Sequence, residues 1–244
     1  VDRELELAHA QGWRRKLSLW RWYGFLNMQL RVAPTIPRVV TVSESSKRDI
    51  AAQMGVPSEH MTVVPIGVDE NLFRPLPEVS RVPGRLMTTA SADVPLKGLT
   101  ILLDALAKVR VERPDAPLVV IGRLKDGSAV PALIDSLGLA GAVEFVTGVS
   151  DERIVELYAE AEIAVVPSLY EGFSLPAAEA MACGVPVVAT TGGALPEVVG
   201  ADGDCARTVD PGDPSQLAAA LIDVLGDADR RHVMGERGRR RVLQ

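Results

Sequence analysis

The chain has 244 residues and a formal net charge of −6, an acidic balance that excludes nucleic acid as the main partner. Hydrophobic residues make up 47% and charged residues 24%, ordinary globular usage that excludes wholesale disorder and bounds the chain at one large domain or one and a half. Its two cysteines and three scattered histidines have no metal-ligand or disulfide spacing, so no metal site is expected, and no apolar run reaches the roughly twenty residues that would span a bilayer.

The first predicted element, "GWRRKLSLWRWYGFL", holds Trp13, Trp20, Trp22, Tyr23 and Phe25 among basic residues. It reads as an amphipathic helix with two open interpretations: packing against a neighbouring domain, or peripheral contact with an anionic membrane surface. The run "RVVTVSESSKRDIAAQMGV" predicts a strand over 38–42, a Ser43 cap and a helix to Met54. A short strand over 61–64 follows. The proline-rich stretch 65–83 then reads as a tether between domains.

From Gly84 onward the pattern is regular. Apolar, β-rich runs at 85–90, 118–121, 143–146, 163–166, 186–189 and 206–209 predict strands. Helical stretches are predicted between and after them at 98–113, 130–137, 152–161, 175–183, 195–199 and 214–225. Short apolar strands alternating with helices mean an α/β fold whose parallel sheet is covered on both faces. Right-handed crossovers place every strand-to-helix loop along one edge, where such sheets bind ligands. The closing basic run "RGRRR" (237–241) reads as a solvated helix face.

Two nucleotide motifs fail. "GRLKDGS" has Ser128 where a P-loop needs lysine, and no G-x-G-x-x-G opens a helix. The loop "EGFSLP" fits an anion better. Ser174 stands at a predicted N-cap and Pro176 in the first turn, so the amides of Gly172, Phe173, Ser174 and Leu175 would face outward at the positive end of a helix dipole. Glu179 has only Leu175, Pro176, Ala182 and Cys183 as helical neighbours, hence no charge partner on its own helix. A ribose one turn in from a bound phosphate would reach it, and Glu171 at the loop mouth would accept from a second polyol. Lys97, after the first strand of this region, adds a cation for pyrophosphate. Gly192 and Gly193 in "TTGGALPE" line the same edge, and Glu197 complements its helix dipole.

These residues resemble a known family. Glu171 to Glu179 is similar to the E-x7-E motif of retaining glycosyltransferases of the GT-B fold, family four, also called group 1 glycosyl transferases. The likeness continues through "AEAMACGVPVVAT", "GGALPEVV", "VSESSKRDI" and "PIGVD". It implies a Rossmann-like donor domain over residues 83–244. Residues 1–82 would be the end of an amino-terminal acceptor domain plus its linker. The chain, starting at Val1 and stopping at Gln244, would then be a fragment, weakly active or inactive alone.

Carried over residue by residue, the resemblance makes Lys97 and Glu171 catalytic, Lys97 on the pyrophosphate and Glu171 on the donor sugar. Gly172, Phe173, Ser174 and Leu175 would bind phosphate or sugar, Glu179 the ribose, and Val149, in the loop with Gly148, the base. The implied reaction moves a hexose from a nucleotide diphosphate sugar to a saccharide or lipid-linked hydroxyl, with retention and without metal or cofactor, in the cytoplasm or at its membrane face. Two positions depart from the pattern. Ala92 stands where the family has an arginine, for which Arg123 at the next strand end is the candidate replacement, and Ile66 stands where asparagine is usual. The alternatives are a non-catalytic nucleotide-sugar-binding or interaction module, and a GT-B-fold nucleotide-sugar epimerase.

Overall fold

The computed structural model describes residues 24–90 and 94–244. Trp13, Trp20, Trp22 and Tyr23, on which the expected aromatic helix rests, and Ala92 lie outside the described residues. The chain divides into two compact units, Val1–Pro65 and Ile66–Gln244.

In the first unit residues 24–32 are helical, and a parallel pair follows, β1 (Val39–Thr41) and β2 (Met61–Val63), joined through α1 (Glu44–Met54). Ser43 starts α1 as expected, its Oγ accepting from the Ser46 amide at 3.0 Å. A small core of Ala33, Val56 and Met61, with Ile50 and Met54 against it, holds these elements together.

The second unit is a six-stranded parallel sheet. Its strands are β3 (Leu86–Thr89), β4 (Leu118–Ile121), β5 (Val143–Val146), β6 (Ile163–Val166), β7 (Val187–Thr190) and β8 (Ala206–Val209), in the order β5-β4-β3-β6-β7-β8. The intervening helices are α2 (Leu99–Glu112), α3 (Val130–Ser136), α4 (Asp151–Glu160), α5 (Leu175–Ala182) and α6 (Leu195–Val199). Two more close the chain, α7 (Pro214–Gly226) and α8 (Ala228–Val242). Four predicted strands match residue for residue; the others differ by one or two at their ends, where ladder partners run out.

β6 and β7 are buried at every position, which is why their sequences run apolar rather than alternate. One core layer, with Leu102, Leu106, Leu217 and Leu221, lies on one face of the sheet. The other, with Tyr158, Met181, Leu195 and Val199, lies on the opposite face. The order reverses between β3 and β6, so the topological switch point sits at the C-terminal ends of those two strands.

Two segments read from composition gain contacts in the fold. The proline-rich stretch packs on the second unit: Leu72, Phe73 and Leu76 lie against its core, and the Val82 amide donates to the Glu160 carbonyl at 2.8 Å. Composition registers the prolines but not the three apolar side chains that find a surface. The basic run is exposed at Arg237, Arg240 and Arg241, as expected of a solvated face, and it also carries staples. Arg239 donates to the Ala182 carbonyl at the end of α5. Arg241 donates to the carbonyls of Val198 (2.8 Å) and Glu197 (2.9 Å) in α6, and Arg237 pairs with Asp204 at 2.8 Å. Guanidinium groups near C-terminal carbonyls satisfy acceptors that a helix end leaves unpaired. Gly235 admits this contact, since a Cβ there would lie 2.3 Å from the Gly184 carbonyl oxygen.

Candidate active site

Lys97 and Glu171, two of the residues singled out by sequence, meet at the switch point. After β3 the chain makes a 3-10 turn, Pro95–Lys97, and enters α2 through Gly98 in the left-handed conformation. A Cβ on Gly98 would stand 2.0 Å from the Pro167 carbonyl oxygen, so only glycine lets this turn lie against the loop that follows β6. The Leu169 amide locks the two loops by donating to the Leu96 carbonyl at 2.8 Å. Lys97 Nζ thereby reaches Glu171 Oε1 at 2.7 Å.

Glu171 is 9% exposed and its Oε1 also accepts from Ser168 Oγ at 2.7 Å. The Ser168 carbonyl in turn accepts from Thr190 Oγ1 at the end of β7. The Glu171 carbonyl accepts from the Ala194 amide at 2.8 Å, and Glu171 pairs with Gly193 in a parallel bridge. Loops from β3, β6 and β7 are thus tied at one acidic residue. Ser168 and Thr190 were absent from the sequence reading, because hydroxyls in loops carry no spacing signal for a partner 22 residues away.

α5 begins four residues after Glu171. Its first-turn amides have no acceptor within the helix, and Pro176 has no amide to offer. Ser174 occupies the N-cap position, but its side chain makes no cap bond, which corrects its expected capping role: φ 98° and ψ 82° turn the residue away from the first turn. Small side chains let α5 sit close to the sheet, with Ala177, Ala178, Ala180, Met181 and Ala182 buried.

Glu179 comes one turn into α5, about 6 Å along the axis from Leu175. It is not without a partner. The Tyr158 hydroxyl, on α4, is shared between Glu179 Oε2 at 3.3 Å and the Pro176 carbonyl at 3.2 Å. Considering α5 alone missed this donor, which tertiary packing brings from 21 positions upstream. Burial raises the Glu179 carboxyl above the ordinary carboxylate value, the Tyr158 hydroxyl opposes the rise, and the Asp151 charge adds to it. Burial and the Glu179 charge push Tyr158 well up, so it stays a neutral donor.

Arg123 and Val149 sit after β4 and β5, one and two strands out from β3 along the same edge, at roughly 4.8 Å per strand. Arg123 is exposed. Neither is in the hydrogen-bonded group around Lys97 and Glu171. Among the described residues no set of three or more His, Cys, Asp and Glu is arranged to hold a metal. Cys183 and Cys205 are free and buried, and burial, with the Glu179 charge second, pushes the Cys183 thiol up to about 12.

A cleft of about 610 Å³ lies at the opposite, N-terminal edge, where Glu162 and Pro186 precede β6 and β7. Its guanidinium groups are committed to the protein: Arg81 to the carbonyls of Ala161 and Gly184, Arg231 to Glu162 at 3.1 Å. The Lys97–Glu171 pair and the N-terminus of α5 lie at the other edge.

Comparison with known proteins shows the family and the fold. Residues 79–241 match the family model described as Glycosyl transferases group 1, and residues 6–72 match Glycosyltransferase Family 4. The chain is 49% identical over its whole length to an MMP alpha-(1->4)-mannosyltransferase of Mycolicibacterium hassiacum, spanning 58% of that protein. It is 34% identical to a D-inositol 3-phosphate glycosyltransferase of Thermobispora bispora, over 82% of this chain and 50% of the relative. Among solved structures, sucrose-phosphate synthase from Thermosynechococcus elongatus superposes with a TM-score of 0.80 at 26% identity, covering 89% of this chain and 56% of that one. Anabaena HepE in complex with UDP-glucose gives 0.77 at 25% identity, over 88% of this chain and 62% of that one.

Proposed function

The chain belongs to the group 1 glycosyl transferases, and on that premise we propose that it carries the donor-binding half of a retaining hexosyltransferase. The observation that carries this reading is the Lys97–Glu171 pair at the switch point, beside the N-terminus of α5 and one turn before Glu179.

In this reading a nucleotide diphosphate sugar lies along the sheet edge. Its ribose hydroxyls donate to Glu179. Its diphosphate takes the α5 amides and Lys97, which exchanges Glu171 for a phosphate oxygen. Glu171, released from Lys97 but still held by Ser168, accepts from the sugar hydroxyls. The acceptor oxygen attacks the anomeric carbon on the face that the diphosphate leaves. The bond from that carbon to the phosphate oxygen breaks, and the acceptor proton passes to the departing oxygen. Negative charge grows on the diphosphate, where Lys97 and the helix dipole stabilise it. Val149 borders the base, Arg123 supplies a second cation, and the acceptor is a saccharide or lipid-linked hydroxyl. The mannosyltransferase relative makes a nucleotide-activated mannose the first donor to test.

A thermal-shift panel of UDP-, GDP- and ADP-sugars, including GDP-mannose and UDP-glucose, tests the reading. One donor is expected to stabilise the chain with or without EDTA. Lys97→Ala should weaken its binding by about 10- to 100-fold, the loss of one charge-assisted contact. A chain that none of these nucleotides stabilises would remove the reading.

A further inference from the structure

We propose that the Ser174 side-chain hydroxyl is itself a ligand to the diphosphate, taking the place of the cap bond that it does not make. This rests on the nucleotide-sugar reading above and adds a group that the reading leaves unused.

Two unfavourable features coincide at this residue. Among the described residues Ser174 alone, glycines aside, has a positive φ, and at 98° it lies beyond the left-handed well that serine tolerates best. The residue is also 5% exposed, and its Oγ is buried with no hydrogen-bond partner in the protein. A glycine would remove the first feature, and an alanine the second. Packing requires neither, because the backbone role of Ser174 is met through its carbonyl, which accepts from the Ala178 amide at 3.3 Å.

An N-cap serine ordinarily accepts from the second or third amide of its helix. Here Pro176 removes the second, and the hydroxyl makes no bond to the third. The hydroxyl therefore stands with its proton and lone pairs unassigned at the positive end of α5. An anion is the ligand this combination selects: a phosphate oxygen accepts from the hydroxyl while other oxygens of the diphosphate take the helix amides.

Ser174→Ala and Ser174→Gly separate the two features. Ser174→Ala should weaken UDP, GDP and inorganic pyrophosphate by one common factor of about tenfold, since all three share the diphosphate. Its Tm without ligand should not fall. Ser174→Gly should lose affinity equally and raise the ligand-free Tm by about 2–4 °C through relief of the backbone. Far-UV circular dichroism establishes that each variant is folded, and the two back one another up.

Wild-type affinity in both variants would overturn the proposal. So would a loss confined to the nucleotides with pyrophosphate unaffected, which would move the contact to the ribose or sugar. Glu179→Gln separates failure of the underlying reading, since it should weaken the nucleotides and spare pyrophosphate. A wild-type chain that binds pyrophosphate through Ser174 but no nucleotide would retire the nucleotide-sugar reading and keep the Ser174 ligand. A chain that binds none of the three would retire both.

Discussion

Glu179 shows how a single carboxylate links fold to pH. Its folded pKa is raised, so the native state holds the proton more tightly than the unfolded chain does. The associated stability is fully present below the ordinary carboxylate pKa, about 4.3, and is lost as pH rises through the raised folded value. Ribose hydroxyls act in the other direction. They donate to the ionised form, so nucleotide affinity should rise with pH across the same window. Glu179→Gln is expected to flatten that dependence in calorimetric titrations, lower affinity about tenfold, and leave the ligand-free chain at least as stable at neutral pH. Tyr158→Phe removes the donor that holds the Glu179 pKa down, so the midpoint of the affinity profile should move to higher pH while binding persists. An unmoved midpoint would separate Tyr158 from Glu179 function.

At the scale of elements, the site depends on where α5 and α6 are held, and α8 holds both by their C-terminal ends. Arg239 and Arg241 supply donors to carbonyls of α5 and α6, and the close passage of α8 depends on Gly235. Gly235→Ala would drive a methyl into the Gly184 carbonyl, a contact with backbone that no side-chain rotation relieves. Overpacking of this kind costs about 1–3 kcal/mol. A Tm drop of roughly 2–4 °C per kcal/mol is therefore expected in a melting experiment. Nucleotide affinity should fall as well, although Gly235 belongs to the helix that staples α5 and not to the site. The β3–α2 connection is the corresponding device on the other side of the switch point: Gly98 lets Lys97 approach Glu171 by removing a Cβ that would meet Pro167.

For the whole molecule, the two compact units predict how the chain responds to protease. Lys97, Glu171, Ser174 and Glu179 all lie within Ile66–Gln244, and the segment after Pro65 is bonded to that unit through Val82 and Arg81. Limited proteolysis is expected to cut near the boundary at Pro65 and release a fragment that begins near Ile66. That fragment should bind the same nucleotide sugar as the uncut chain, read by mass spectrometry and thermal shift. Its loss of binding would mean that the first unit contributes a donor contact.

Strand and helix order, the parallel sheet and the edge on which Lys97 and Glu171 lie were legible in the sequence. Each follows from local patterns: the apolar runs of β6 and β7, a serine before α1, and Gly-rich turns after strands. Lys97, Glu171 and Glu179 were legible as well, since charges isolated in apolar surroundings stand out along the chain. Only the tertiary structure decided their partners. Lys97 meets Glu171 across 74 positions, Tyr158 meets Glu179 across 21, and Arg239 reaches Ala182 across 57. Side-chain donors reach such acceptors only once the sheet order has brought β3 beside β6 and packed α8 on α5, and no periodicity along one element encodes that pairing. Ser174 divides between the two levels: its place at the head of α5 is written in "EGFSLP", whereas its torsions and unsatisfied hydroxyl arise from the folded backbone around it.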